Sequence, residues 1–301
     1  MALFGGPTER EMSCRTAPWR PDRDQREMFH VKHAGASILP SMSRPRVIAV
    51  CNQKGGVGKT TTAVSLGAAL AEKGLRVLLV DCDPQGNATS GVGVRPASLS
   101  NSIYDVIVLG QPLMEVAIAI EEVPGLTLVP SNVSLAGSEL ELAELPLRES
   151  RLRLALDGLE DYDYVLLDTP PSLGLLTVNC LVAADSLLIP LQCEYYALEG
   201  LSLLTQTQTL VRQSLNPALT LAGIVLTLFD PRTILSSQVV SEVRRQFGDQ
   251  AFTTVIPRSV RLSEAPSHGL PITLYEPGGR AAAAYRALAE ELLARTAPVA
   301  A

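Results

Sequence analysis

The stretch that most restricts the fold is a short apolar run, Val47–Cys51, followed by Asn52-Gln53-Lys54-Gly55-Gly56-Val57-Gly58-Lys59-Thr60-Thr61 and a helix-forming segment, Thr60–Lys73. Glycines in such a loop let backbone N–H groups turn inward around an anion, and the helix N-terminus adds its dipole. Lys59 is placed to reach β- and γ-phosphates, and the Thr60 hydroxyl to ligate Mg²⁺. The plain alternative, a Gly-rich turn with an incidental lysine, leaves the strand before it and the helix after it unexplained. A strand–loop–helix unit of this kind belongs in an α/β fold, with ligands at the carboxyl ends of a doubly wound, mostly parallel sheet.

The rest of the chain follows the same alternation. Val77–Val80, Leu126–Val129, Tyr164–Leu167, Ser186–Leu191, Leu221–Thr227 and Phe252–Ile256 read as buried parallel strands. Ser138–Leu159, Gly174–Ala184, Leu198–Gln213, Leu235–Phe247 and Arg280–Arg295 read as helices, and Gly74 stops the first helix. We expect one ATPase domain over 46–295, preceded by a disordered extension over 1–45 and followed by a tail over 296–301. Hydrophobic residues at 47% and charged residues at 19% suit a globular core, and no apolar run reaches membrane-spanning length. The five cysteines form no CxxC pair, which favours reduced buried thiols in a cytoplasmic protein over metal sites or disulfides. A net charge of −6 excludes general coating of a polyanion but not a local basic face.

The loop departs from the ordinary GxxxxGK[ST] pattern, because Gln53 stands at the first glycine and an extra lysine, Lys54, precedes Gly55. Lys59 already serves the phosphates of its own subunit. Lys54 is either a surface lysine or a cation for another subunit's nucleotide, stabilising charge on a transferring phosphoryl group. The second strand ends in Asp81-Cys82-Asp83-Pro84-Gln85-Gly86-Asn87, which places two carboxylates beside the phosphates. One can hold a Mg²⁺-bound water and the other orient an attacking water, with turn capping as the bland alternative. Asp168, closing Tyr164–Leu167 and followed by Thr169-Pro170-Pro171, is the expected acidic partner linked to Mg²⁺ through water.

Together these segments resemble the deviant Walker A family of P-loop NTPases, and most closely its ParA/Soj chromosome-partition ATPases. The likeness spans 46–295. Its narrowest parts are Asp83-Pro84-Gln85-Gly86-Asn87, Glu194-Tyr195-Tyr196-Ala197-Leu198-Glu199-Gly200 and Ile256–Ser267, where Ser259 replaces the asparagine of many relatives. The resemblance implies an ATP- and Mg²⁺-dependent homodimer that binds double-stranded DNA non-specifically. A ParB-type centromere-binding protein would release it by stimulating hydrolysis. It implies Lys54 and Asp83 as catalytic residues, Gly55, Gly56, Val57, Gly58, Lys59, Thr60, Thr61 and Pro257 around ATP, and Thr60, Asp81 and Asp168 around Mg²⁺. Arg232 and Arg261 match arginines implicated in DNA binding, with solvated or locally paired arginines as the alternative. The implied location is cytoplasmic and nucleoid-associated, with no membrane partner.

Rival readings are a MinD-like division-site regulator, which would need a basic apolar C-terminal helix, and a cluster-carrying or metabolic ATPase with the same loop. The Ala-rich segment Ala281–Ala301 and the contexts of Cys180 and Cys193 favour neither. A plasmid-type relative would carry an N-terminal helix-turn-helix domain, so the irregular extension suggests the chromosomal type. Within it, Met28-Phe29-His30-Val31-Lys32-His33 is compatible with codons spelling TGTTTCACGTGAAACA, a palindrome resembling a centromere-like site. That would make the stretch DNA signal read as protein, with translation starting at Met42.

Overall fold

The computed structural model describes residues 44–194 and 197–296, without the side chains of 197–204. All but Arg44 and Pro45 of the expected extension, and all but Thr296 of the expected tail, lie outside those residues, as do Tyr195 and Tyr196. One eight-stranded sheet organises the described chain: β1 (Arg46–Val50), β2 (Val77–Asp81), β3 (Ile118–Ala119), β4 (Leu126–Val129), β5 (Tyr164–Asp168), β6 (Ser186–Gln192), β7 (Thr220–Phe229) and β8 (Ala251–Pro257). Their order is β3-β4-β2-β5-β1-β6-β7-β8, and every pairing is parallel except β3 on β4. Seven strands fall within two residues of their expected positions, because a strand buried on both faces is apolar throughout.

The two faces of the sheet sort the core. Ile48, Val50, Leu79, Leu166 and Leu188 pack with the helices Lys59–Ala71 and Arg280–Thr296, while Val47, Ala49, Leu78, Val165 and Ile189 pack with Leu176, Cys180, Val211 and Val243 opposite. Both edges are short or covered. β3 has two residues. On β8, the Thr253 and Thr254 N–H groups donate to the Glu291 carboxylate at 2.7 and 2.9 Å, and the Ala251 carbonyl accepts from Arg295 at 2.8 Å.

The expected helix Ser138–Leu159 is instead broken into Ser138–Ala143 and Arg151–Leu156. Pro146 removes a donor and Leu147 turns to φ 55°, while buried Asn179 accepts from Leu152 N (3.2 Å) and donates to the Arg148 carbonyl (2.7 Å). The apolar period runs on through the break, which is why the pattern alone reads as one helix. Also unforeseen are β3 and short helices at Asn87–Gly91, Ile103–Ile107 and Leu113–Val116, the second of these capped by Ser102 with Asp105 in a capping box.

Two backbones cross where Gly93 meets Gly269. Gly269 sits at φ 65°, and a Cβ there would lie 2.6 Å from the Gly93 Cα. Gly269→Ala is therefore expected to lower the denaturant midpoint by more than about 2 kcal/mol equivalent, since strain and a backbone clash add. Gly158→Ala, also at positive φ but with nothing within 4 Å, serves as the control that carries the strain alone.

Candidate functional site

The Gly-rich loop leaves β1 at the point where crossovers depart to opposite sides of the sheet, through β2 on one side and β6 on the other. Neighbouring strands fix it from beneath. Asn52, almost fully buried, donates to the Pro190 carbonyl (2.7 Å) and accepts from Lys54 N (3.0 Å). Thr227 on β7 donates its hydroxyl to the Val57 carbonyl (2.8 Å). Gly56 and Gly58 take φ 74° and 88°, conformations that cost a side-chain-bearing residue strain. A Cβ at Gly55 or Gly56 would meet nothing within 4 Å, so no protein atom crowds the loop on the side those positions face. The helix Lys59–Ala71 starts at Gly58 with no side-chain cap, which leaves its first N–H groups for an anion. Lys59 is mostly buried and donates to the Lys54 carbonyl at 3.3 Å.

Parallel register then places two acids side by side. Val50 pairs with Asp168, and Asp168 with Asp81, so both carboxylates stand on one rung at the carboxyl ends of adjacent strands. Both are fully buried but differently satisfied. Asp81 accepts from Asp83 N (3.1 Å), Thr89 N (2.8 Å) and the Thr89 hydroxyl (2.7 Å). Burial pushes Asp81 up to about 6, held from going further by the bonds from Thr89 and Asp83. Neither oxygen of Asp168 has a hydrogen-bond partner among the described residues. Burial, and then the charge of Asp81, raise the Asp168 pKa well above the usual carboxylate range. The Thr60 hydroxyl and the Lys59 charge pull the other way, without a hydrogen bond of normal geometry to either oxygen. An unpartnered buried carboxylate is costly unless a cation, or a cation's water, completes it. Among the described residues no three His, Cys, Asp or Glu form a metal cage. Mg²⁺ needs none, since it keeps waters and takes one or two protein oxygens plus phosphate.

A cavity of about 430 Å³ lies over the loop, within the size range of small-ligand sites. Gly55, Gly56, Gly58, Lys59, Thr60 and Thr61 form its floor and Asp83 one side. Asp83 is nearly buried and accepts from Gln85 N at 2.9 Å. The apolar wall comes from Leu262, Ala265 and Pro266, inside the Ile256–Ser267 segment but given no role at the nucleotide from sequence, and from Leu270 and Ile272 beyond it. Three residues expected at the nucleotide do not line the cavity: Val57 is buried, Pro257 ends β8 beside Phe229, and the Lys54 ammonium is paired with Glu194. The Lys54 ammonium lies 3.6 Å from Glu194, whose other oxygen lies 3.6 Å from Arg258.

The two arginines expected to meet DNA sit at the same end of the sheet, just past β7 and β8, where Arg258 N donates to the Phe229 carbonyl (2.8 Å). Each has an acidic partner. Arg232 is highly exposed and forks onto Asp230 at 2.9 and 2.7 Å, and its guanidinium holds the Asp230 carboxyl down at about 2. Arg261 bonds Glu264 (2.8 Å) and lies 3.6 Å from Glu276. Locally paired arginines, the alternative stated from sequence, are what the free subunit holds. Exposed pairs of this kind are worth about 0–1 kcal/mol, so a polyanion can displace them.

Known proteins share this arrangement. A family model described as an AAA domain matches residues 45–221. Over 250 residues the chain is 53% identical to the sporulation initiation inhibitor protein Soj of Bacillus subtilis, covering 83% of this chain and 98% of that protein. Over 254 residues it is 52% identical to the chromosome partitioning protein ParA of Myxococcus xanthus, covering 84% and 89%. Among solved structures, a cobyrinic acid a,c-diamide synthase from Mycobacterium smegmatis with bound ATP analog and magnesium superposes with a TM-score of 0.72 at 41% identity, covering 83% and 94%.

Proposed function

Because the chain belongs to the ParA/Soj family of partition ATPases, we propose that it is an ATP-driven switch for chromosome segregation, which binds DNA as an ATP-bound dimer and lets go after hydrolysis. The observation that carries the ATPase reading is the buried, unpartnered Asp168 on one rung with Asp81, at the strand ends beside the Gly-rich loop that leads into Lys59 and Thr60. Mg²⁺, held by the Thr60 hydroxyl and through water by Asp168 and Asp81, would offset charge on the phosphate oxygens. Lys59 and the loop N–H groups hold the phosphates. Asp83, on the cavity wall, orients the attacking water. Lys54 lies off its own cavity, which supports a role on the nucleotide of a second subunit, where it stabilises charge on the transferring phosphoryl group.

Arg232 and Arg261, doubled by dimerisation, supply phosphate contacts on an otherwise acidic molecule. A ParB-type partner as the trigger for hydrolysis rests on the resemblance of Asp83–Asn87, Glu194–Gly200 and Ile256–Ser267 to the family's signature segments. The other readings find less support. No helix among the described residues is long and apolar enough to cross a membrane, and the Arg280–Thr296 helix buries its apolar face in the core. Cys51, Cys82, Cys180 and Cys193 are all buried, and burial pushes Cys51 and Cys193 up to about 12. Such thiols suit neither a subunit-bridging cluster nor a cysteine nucleophile for amide synthesis.

The test is binding to non-specific duplex DNA with ATP, ADP or no nucleotide, for the wild type, Asp83→Ala and Arg261→Ala. Binding is expected only with ATP, retained by Asp83→Ala and weakened about 3- to 10-fold by Arg261→Ala, with a shallower salt dependence. Equal binding in all nucleotide states would sink the switch.

A further inference from the structure

The loop lysine that does not line the cavity, Lys54, pairs with a residue no motif assigns to catalysis. Glu194 follows the end of β6. Its backbone is fixed by its own N–H bond to the Gln192 carbonyl (2.8 Å), and its Oε2 accepts from Gln192 Nε2 (3.0 Å). That same oxygen lies 3.6 Å from Lys54 Nζ, and Oε1 lies 3.6 Å from Arg258. Lys54 itself is anchored at both backbone ends, its N–H by Asn52 and its carbonyl by Lys59. Whatever Lys54 does to reach another subunit must therefore come from its side chain swinging off Glu194.

We propose that Glu194 is a positioning residue for Lys54: it parks the lysine on its own subunit and so raises the ATP concentration or protein concentration needed for dimerisation. The inference rests on the reading that Lys54 acts on a second subunit's nucleotide. Three features fit a latch rather than a permanent bond. Both side chains are about half exposed and the pair is longer than a hydrogen bond, so it is worth only about 0.2–1 kcal/mol. A triphosphate offers several negative charges against one carboxylate, so the competition has a clear winner once a second subunit arrives. Arg258 remains on Glu194 when Lys54 leaves, so the carboxylate is not stranded.

Each dimer breaks two such pairs. Glu194→Gln, which keeps the shape and removes the charge, is expected to tighten the ATP-dependent dimerisation constant by about 2- to 30-fold, twice the energy of one exposed pair. The measurement is sedimentation of the full chain with ATP, for the wild type, Glu194→Gln, Lys54→Ala and the double variant. Three results support the latch: Glu194→Gln tightens association, the gain fades in about 0.5 M salt where charges are screened, and the gain is absent when Lys54 is Ala. If Glu194→Gln dimerises no better than the wild type while Lys54→Ala fails to dimerise, the latch is wrong and the cross-subunit role of Lys54 stands. A gain that persists without Lys54 also overturns the latch, since Glu194 then acts through something else. If Lys54→Ala dimerises like the wild type, the cross-subunit reading itself has failed.

Discussion

Asp168→Asn should make the nucleotide-free protein more stable while lowering its Mg²⁺-dependent ATP hydrolysis at least about 100-fold. The stabilisation follows from what surrounds the carboxylate. Asp168 is fully buried, neither oxygen is bonded among the described residues, and the like charge of Asp81 stands on the same rung. Removing one charge from such a pair relieves a penalty on the order of 1–3 kcal/mol. The loss of activity follows from the same geometry, since the amide no longer complements a hydrated cation. The pH dependence has a definite sign. Burial raises the folded-state pKa of Asp81 from 3.8 to about 6, and that of Asp168 well above 3.8. Each folded acid therefore keeps its proton where the unfolded chain has lost it. The penalty is absent below the unfolded pKa, grows between the unfolded and folded values, and is constant above the folded one. Calorimetry without nucleotide should show the wild-type melting temperature falling as pH rises from about 4 to about 6, the interval between the unfolded and folded values of Asp81, with a flatter profile in Asp168→Asn. Carboxylates held low by arginines, such as Asp230 at about 2, finish titrating below this window. A less stable Asp168→Asn protein would mean that the carboxylate has a partner in the free state.

Lys59→Ala should have the opposite effect on the apo protein while also weakening ATP binding at least about 100-fold. Burial lowers the Lys59 pKa, and the charges of Asp168, Cys51 and Asp83 raise it again, so the ammonium is the cation this acidic cluster feels. Without it, Asp81, Asp83 and Asp168 repel with less compensation, and the melting temperature drops. Because Lys59 and Asp168 feel each other directly, their effects are not additive. The double variant Lys59→Ala/Asp168→Asn should recover most of the lost stability and none of the ATP affinity. Titration calorimetry with ATP and thermal melts of all four proteins check both halves. Full ATP affinity in Lys59→Ala would remove the loop from the binding site.

Much of this was legible from residues because it depends on side-chain type repeated over short spans. Most of the seven strands are largely buried and rich in aliphatic residues, and a loop such as Lys54–Thr61 needs its glycines and its lysine at set places. Asp168 was legible because it ends an apolar strand. What escaped depends on long-range partners. Glu276 as a partner of Arg261 becomes meaningful only in space, whereas Asp230 and Glu264 stand two and three residues from their arginines, within the local pairing already read as an alternative. Leu262, Ala265 and Pro266 were read only as part of a family signature, and Leu270 and Ile272 were not read at all, whereas their apolar side chains together wall the pocket. The break near Pro146 hides because Asn179, over 30 residues on, stabilises it. The capping box at Ser102 and Asp105 was readable in principle, but the helix it opens is too short to show a period. The part of the Glu194–Gly200 signature after Glu194 lies at Tyr195 and Tyr196, outside the described residues, and at side chains that are not described.

The covered edges of the sheet carry a consequence for crowding. A partition ATPase working as proposed would gather many copies along one polymer, at local concentrations far above the bulk. Open strand edges in such a crowd recruit one another by backbone pairing, and the product is an aggregate that no nucleotide can dissolve. Here one edge offers two residues, and on the other Glu291 and Arg295 occupy the backbone groups of Ala251, Thr253 and Thr254. In the proposed switch, association would thereby be left to the carboxyl-end rim, where the contacts would be side chains and phosphates. Those are bonds that hydrolysis can undo.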